Sequence, residues 1–322
     1  MQRYFKFIHS KNEVRKHSSS GGAFTLISDI VLNMGGIIYG CIIDKNQKVK
    51  HIRATRDIER DKMRGSKYIQ SDIKVIFPLL KKDLNEGKIV LFSGTPCQCF
   101  ALQQYLDVLH VKTDKLLLLE VVCHGVGSKR FFVDYINYLE KVYKGKTVSV
   151  NFRAKYHLGQ KQDMAVEFDN GKAYHASSTK YDWFYSIYLK NLILRPACYE
   201  CPFAKEKRYS DLSIADHWGF RDNDAYSLIV CNTEKGWDIL NKIRDEKIEE
   251  IEKFEVKQPH MMHPCERPDS RDAFWDKYYK EGYLAVQKLY GNNTIKGRLL
   301  DLGVKVIYDL HLAGLIKKIC RR

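Results

Sequence analysis

The sequence predicts an α/β fold with a mixed sheet, flanking helices and a helical C-terminal tail. Continuous apolar runs such as LLLLEVV (116–122) are typical of strands that are buried on both faces. Segments with a helical apolar period alternate with these runs. Open sheets of this kind bind ligands outside the carboxyl ends of their strands, so we expect a cofactor crevice there.

The N-terminal part of the chain carries a helix, two strands and a second helix. Residues 22–34 have a helical apolar period, and residues 35–43 and 49–55 are apolar runs with strand composition. A polar, glycine-containing loop at 63–72 then precedes a segment that looks helical as far as Leu84.

The middle of the chain repeats the order strand, loop, helix. The strands are KIVLFSG (88–94) and LLLLEVV (116–122), and the turns after them are TPCQC and CHGVGS. An Asp-Asn-Gly hairpin signal lies at 169–171. The other predicted elements are strands at 148–154, 163–176, 212–219 and 225–232, and helices at 182–191, 233–246 and 294–319.

The overall composition excludes several classes of protein. No apolar stretch approaches the roughly 18 residues that span a bilayer, and residues 1–20 lack the apolar core of a signal peptide. We therefore expect a cytoplasmic protein. The net charge of +15 comes from scattered basic residues without a nucleic-acid-binding motif, so we expect no nucleic-acid partner.

Nine cysteines in a cytoplasmic chain indicate metal or redox chemistry rather than disulfides. Cys97 and Cys123 follow the two central strands, while Cys198 and Cys201 form a CxxC motif. Four thiolates suffice for a [4Fe–4S] cluster or for a tetrahedral zinc site. Cys99 could replace Cys97 as a ligand, although it already enters the predicted helix. The alternative is that Cys97 and Cys123 are core thiols and the CxxC is incidental.

Two loops have the composition of an anion-binding site. Residues 18–22 precede a helix, where glycines allow close approach and hydroxyl and free N–H groups donate. Arg64, Ser66, Lys67 and Tyr68 add two cations, a hydroxyl group and a ring. An ordinary helix N-cap and a plain polar loop are the alternatives. The sequence contains no GxGxxG fingerprint, so a Rossmann NAD site is unsupported.

Polar side chains also lie at the end of the strand predicted at 212–219. Asp216 and His217 place a carboxylate and an imidazole there, next to an indole. Arg153 is a further candidate anion contact. The alternatives are a strand edge with an aromatic packing residue and, for Arg153, a surface ion pair.

Seven segments in order resemble the beta subunit of coenzyme F-420 hydrogenase/dehydrogenase. They lie between about residues 15 and 233 and are SSSGGAF, RGSKYIQSD, LFSGTPCQ, VVCHGV, VNFRAK, LRPACYECPFA and SDLSIADHWG. The resemblance implies an oxidoreductase that passes electrons between a [4Fe–4S] cluster and FAD, and so reduces or oxidises an organic two-electron carrier or metabolite. Many bacterial members belong to capsule or exopolysaccharide gene clusters.

The resemblance also assigns roles to individual residues. The cluster ligands it implies are Cys97, Cys123, Cys198 and Cys201. The cofactor contacts are Ser19, Ser20, Gly21, Gly22, Arg64, Ser66, Lys67, Tyr68, Thr95, Arg153 and Asp216. His217 or Tyr68 would relay a proton, and the imidazole is better suited because it titrates near neutral pH.

Three regions follow from the resemblance. Residues 1–80 form the flavin side and residues 81–250 carry the iron–sulfur and flavin site, packed together as one catalytic unit. Residues 251–322 form a helical tail, which is expected to pack against the core or a partner, or to contact an anionic membrane. The chain begins too late for the ferredoxin-like segment of many members, so we expect a separate ferredoxin or reductase as donor.

Departures from the family pattern leave the substrate open. The loop after the second central strand reads CHGVGSK, and His217 replaces the usual aromatic residue. We expect a small molecule or a glycan precursor as substrate. The rival function is a non-catalytic iron–sulfur or zinc-stabilised partner in a polysaccharide-assembly complex.

Overall fold

The computed structural model describes residues 2–155, 163–176, 182–218, 225–243, 246, 248–291 and 299. The chain divides into two compact units, and each unit is built from two segments. The first unit comprises Met1–Val126 and Pro196–Cys265, and the second comprises Gly127–Arg195 and Glu266–Arg322. The helix predicted at 294–319 lies outside the described residues, apart from Leu299.

The secondary structure follows the predicted order of elements. The strands are β1 Arg3–Phe7, β2 Ile37–Ile43, β3 Val49–Ala54, β4 Val90–Gly94, β5 Leu116–Val121, β6 Thr147–Ala154, β7 Asp163–Phe168, β8 Ala173–His175, β9 Leu212–Asp216, β10 Ser227–Cys231 and β11 Ile248–Ile251. The helices are α1 Asn12–Lys16, α2 Ala23–Asn33, α3 Asp57–Arg60, α4 Ile76–Asn85, α5 Pro96–Val108, α6 Lys129–Tyr143, α7 Tyr185–Tyr188, α8 Glu234–Leu240, α9 Arg271–Glu281 and α10 Tyr283–Tyr290. Among these described helices, none is both long and apolar enough to cross a bilayer.

The first unit is built on an eight-stranded sheet with the order β11-β1-β10-β9-β5-β4-β2-β3. The neighbours β2, β4, β5 and β9 run parallel, and the other pairs in the sheet are antiparallel. The prediction of a mixed sheet with flanking helices is therefore confirmed. The edge strand β11 and its neighbour β1 had no sequence prediction, because their pairing joins segments that are far apart in the chain.

The apolar run of β5 is continuous because both faces of the sheet are covered. Leu117 and Leu119 belong to one hydrophobic cluster, together with Ile27 of α2. Leu116 and Leu118 point to the opposite face and belong to a second cluster, which contains residues of α4 and α5. Alternate leucines thus serve two cores, as the sequence pattern indicated.

Helix α5 begins earlier than the sequence prediction placed it. The segment TPCQC was expected to be a turn, but its last four residues form the first turn of the helix. Pro96 occupies the first helical position, where its missing N–H costs nothing. The side chain of Gln98 accepts a hydrogen bond from the Thr95 N–H at 3.0 Å, as in a capping box. This early start places Cys97 on the exposed first turn.

The second unit contains a three-stranded antiparallel sheet in the order β6-β7-β8. The hairpin predicted at 169–171 joins β7 to β8, and Gly171 takes the positive φ of +77° that the turn requires. The buried carboxylate of Asp182 accepts hydrogen bonds from Tyr174 at 2.9 Å and Tyr135 at 3.1 Å. These bonds stabilise a core that is rich in aromatic rings.

Candidate functional site

Two cysteines lie at adjacent strand ends in the first unit. Strands β4 and β5 are parallel neighbours, so the loops after them emerge at the same edge of the sheet. Cys97 follows β4 and is exposed, with its sulfur 3.1 Å from the Thr95 hydroxyl oxygen. Cys123 follows β5. The structure confirms that the two central loops share one edge.

The CxxC loop brings two more thiols to Cys123. Burial raises the pKa of the Cys123 thiol well above its usual value, and the negative charges of Cys97, Cys198 and Cys201 raise it further. The four predicted cysteines therefore lie close enough for their charges to interact. Cys198 ends a single 3₁₀ turn that begins at Pro196, and both CxxC cysteines are half-buried.

Four cysteine sulfurs could serve either of two kinds of metal site. Tetrahedral zinc with Zn–S bonds of about 2.3 Å holds its sulfurs about 3.8 Å apart. No three of the four sulfur atoms lie within 4.8 Å of one another. Thiolates around a [4Fe–4S] cluster stand further apart than thiolates around one ion, because the iron and sulfide atoms of the cluster lie between them.

Cys99 and Cys265 differ from the four in their surroundings. Cys99 is fully buried among apolar residues such as Phe92 and Leu102, so it is a core residue. Cys265 is also buried, but the charges of Cys198 and Cys201 act on it, and burial together with these charges raises the pKa of its thiol to about 12. Sequence reasoning passed over Cys265 because no motif connects it with the CxxC.

A buried ion pair lies beside the CxxC loop. Arg208 Nη1 is 3.2 Å from Glu120 Oε1, and both side chains are 1% exposed. Burial raises the pKa of Glu120, and this effect is opposed by Arg208 and by Ser213, whose hydroxyl donates to the carboxylate at 2.8 Å. Cys201 interacts electrostatically with the guanidinium. Arg208 was missed by the sequence analysis, because a basic residue in KEKRY gives no sign of burial.

Two nitrogens of the Arg208 guanidinium lack a hydrogen-bond partner within the described part of the chain. They are Nε and Nη2, and both are buried. Unsatisfied buried donors are costly, and those of a charged group are especially so. Glu120 already balances the guanidinium charge, and a sulfur-ligated cluster beside Cys201 would supply acceptors for the two remaining nitrogens. The residues present thus fit the group that the four cysteines suggest.

The two loops predicted to bind an anion meet in the structure. The Ser19 hydroxyl oxygen accepts a hydrogen bond from the Ser66 N–H at 2.8 Å and lies 2.9 Å from the Ser66 hydroxyl oxygen. Ser20 pairs with Ser227 at 2.8 Å. Ser227 is opposite Asp216 in the β9–β10 ladder, so the strand end predicted as part of the site adjoins the same loop.

Glycines are required at the tip of the 18–22 loop. A Cβ atom on Gly21 would lie 2.2 Å from the carbonyl oxygen of Phe7 and 2.7 Å from the Ser227 nitrogen. Gly22 caps the N-terminus of α2 with a φ of +97°. The backbone here can adopt this path only without side chains, because the protein's own atoms fill the space that a Cβ atom would need.

The basic residues of the second loop are held by their own surroundings. Lys67 donates to the carbonyl oxygens of Met63 and Arg64, both at 2.8 Å, and burial lowers the pKa of its ammonium group to about 8. Arg64 donates to the Thr25 hydroxyl at 3.0 Å, and Tyr68 is half-buried. These contacts order the loop around the Ser19–Ser66 contact.

The proton-relay role of His217 and the anion contact of Arg153 remain predictions. His217 is 5% exposed, and burial, followed by the charge of Lys6, lowers the pKa of its imidazole. The backbone N–H of His217 donates to the backbone carbonyl oxygen of Tyr226 at 3.0 Å, while Gln258 Nε2 donates to the backbone carbonyl oxygen of Asp216. Arg153 is a buried residue of β6 in the second unit.

Comparisons with known proteins agree with the resemblance found in the sequence. The family model for the C terminus of the coenzyme F420 hydrogenase/dehydrogenase beta subunit matches residues 87–257. A chain of the F420-reducing [NiFe] hydrogenase complex from Methanosarcina barkeri has a similar fold, with a TM-score of 0.52 and 18% identity. The similarity covers 89% of this chain and 90% of that one. No curated protein matches.

Proposed function

Because this chain belongs to the coenzyme F420 hydrogenase/dehydrogenase beta subunit family, we propose that it is an electron-transferring oxidoreductase that uses a [4Fe–4S] cluster and FAD. The family consists of hydrogenase and dehydrogenase subunits, so a general oxidoreductase role follows from membership. The two cofactors, the direction of electron flow and the carrier are the proposal.

The four-cysteine arrangement beside Arg208 carries the proposal. Cysteines from two strand ends and one CxxC loop lie near enough in the first unit for the charges of Cys97, Cys198 and Cys201 to act on Cys123. The buried guanidinium next to them has two nitrogens without an acceptor among the described residues. We prefer the cluster to the zinc-stabilised alternative because the family is one of hydrogenase and dehydrogenase subunits, and zinc has no redox chemistry.

The flavin proposal rests on the contact between the two loops. The Ser19–Ser66 pair joins two loops expected to bind FAD, and the loop that carries Ser19 leads into the N-terminus of α2. A diphosphate fits such a site because the helix N-terminus attracts negative charge and the hydroxyl groups donate. Lys67 and Arg64 add positive charge to the same loop.

The chain's own residues then have distinct tasks. When bound, the cluster supplies single electrons and the flavin exchanges electron pairs with an organic carrier. The cysteines hold the cluster, and Arg208 supplies hydrogen-bond donors beside it. His217, kept neutral by burial, is able to accept a proton at the end of β9.

The electron donor is proposed to be a separate acidic protein such as a ferredoxin. Lys205 and Lys207 are exposed on the loop that follows Cys201, and Cys97 is exposed as well. Positive charge around an electron entry point steers an acidic partner towards it. The acceptor is proposed to be a small molecule or glycan precursor; a role in capsule or exopolysaccharide biosynthesis remains a prediction.

Anaerobic purification followed by an ultraviolet–visible spectrum and iron, sulfide and flavin analysis tests the proposal. We expect flavin bands above a broad iron–sulfur shoulder. Cys97→Ser should remove the iron, whereas Cys99→Ala, two positions further along α5 in the apolar core, should retain it. A colourless protein with one zinc ion or no metal would refute the proposal, as would equal iron loss in both variants.

A further inference from the structure

A second group of metal-binding side chains lies near the cysteines but shares none of them. His124 follows Cys123, and His260 and Cys265 lie in the segment after β11. Their ligand atoms all lie within 4.8 Å of one another. His124 Nδ1 is 2.8 Å from His260 Nε2, while Cys265 Sγ is 3.8 Å from the other ring nitrogen, His260 Nδ1; one ion would use only one of these two nitrogens. Among the residues the structure describes, this is the one group of three possible ligands so closely spaced.

The chemistry of the three side chains is that of a zinc site. A hydrogen bond between two imidazoles requires one nitrogen to act as acceptor, so at least one ring is in the neutral, metal-binding form. Two imidazoles and one thiol form the mixed nitrogen–sulfur set that Zn²⁺ favours, with a fourth position left for water or another ligand. All three side chains are buried or half-buried, which excludes competing solvent from much of the site.

We infer that His124, His260 and Cys265 bind one Zn²⁺ ion, separately from the four-cysteine site. Tetrahedral Zn–N bonds of about 2.0–2.1 Å hold two nitrogens about 3.3 Å apart, so the 2.8 Å ring contact has to widen by about half an ångström. The Cys265 thiol donates to the His124 carbonyl oxygen at 2.8 Å. On zinc binding the S–H bond breaks, a Zn–S bond forms and the proton passes to solvent.

The competing assignment is that Cys265 serves the four-cysteine site. Cys198 and Cys201 lie near enough for their charges to act on Cys265. The two imidazoles argue against it, because one ligand atom of each lies within 4.8 Å of the Cys265 sulfur, and these three residues form a complete ligand group by themselves. The ion would tie the segment after β11 to the loop that carries Cys123, and it would fix the position of that thiol.

Zinc binding to the anaerobically purified, iron-loaded protein tests the inference. Zinc alone is added, unbound metal is removed by gel filtration, and zinc and iron per chain are measured by mass spectrometry. We expect one zinc ion per chain in the wild type and in the control His263→Gln, whose side chain is exposed two positions before Cys265. His260→Gln and Cys265→Ala should weaken zinc binding by more than the roughly 10–100-fold that loss of an outer-sphere partner costs.

Several outcomes would overturn the inference. The wild type could retain no zinc, or all four proteins could retain the same amount. Cys265→Ala could lose iron instead of zinc, which would assign this thiol to the cluster. X-ray absorption of wild-type zinc requires no variant, and coordination by oxygen alone would refute the site. Iron content is read separately, so failure of the zinc site and failure of the proposed function are distinguishable.

Discussion

Replacing Arg208 with Met should destabilise the first unit, because the buried carboxylate of Glu120 loses its partner. Both side chains of the Arg208–Glu120 pair are 1% exposed. The variant therefore leaves the buried Glu120 carboxylate without its positively charged partner. Breaking a buried pair in this way costs about 3–5 kcal/mol. With the roughly 2–4 °C per kcal/mol seen for domains of 150–250 residues, the melting temperature should fall by about 6–20 °C.

Thermal unfolding of the purified protein, followed by circular dichroism, measures this effect. The matched control is Arg3→Met, which breaks the exposed Arg3–Glu250 pair and should change the melting temperature little. The double variant Arg208→Met/Glu120→Gln removes both buried charges and should recover most of the loss. The reasoning is refuted if Arg208→Met unfolds no earlier than Arg3→Met, or if the double variant is no more stable than Arg208→Met.

Three further predictions concern charge, protonation and backbone space. Arg208→Met removes a positive charge near Cys201 and should make the proposed cluster harder to reduce, so a redox titration that shows an unchanged or higher potential contradicts the proposed contact. Burial lowers the pKa of His51 to about 4 in the folded protein, whereas in the unfolded chain this pKa is near 6.5. The free energy of unfolding should therefore fall as the pH drops from about 6.5 to 4. Urea unfolding at a series of pH values should show a shallower fall for His51→Gln. Gly21→Ala places a Cβ atom 2.2 Å from the Phe7 oxygen and should cost about 1–3 kcal/mol and reduce the bound flavin; a flavin content and melting temperature equal to those of the wild type would disprove the tight fit.

The sequence predicted those parts of the site that follow from strand order. Cys97 and Cys123 could be placed together because two buried parallel strands end just before them, and the CxxC is a local motif. Arg208 could not be predicted, since burial of a basic residue depends on strands that surround it only after folding. His260 and Cys265 lie in a segment without regular periodicity, so nothing local connects them with His124.

The start of α5 illustrates a different limit. Thr95, Pro96 and Gln98 together form a helix-start signal, but the composition of TPCQC is equally typical of a turn. β1 was missed for a physical reason, since its five residues become a strand only by pairing with β10 and β11. The antiparallel half of the sheet was therefore the less predictable half.

The split of the first unit into two chain segments has a consequence for biosynthesis. The ribosome completes Met1–Val126 first, then all of Gly127–Arg195, and only afterwards Pro196–Cys265. A nascent chain thus exposes Cys97 and Cys123 while β9, β10 and the CxxC are still to be translated. Domains generally fold as they emerge from the ribosome, but the first unit can complete its sheet only after its second segment has been translated. Assembly of the proposed cluster is therefore expected only after the CxxC has been translated, and chains truncated before Cys198 should lack iron.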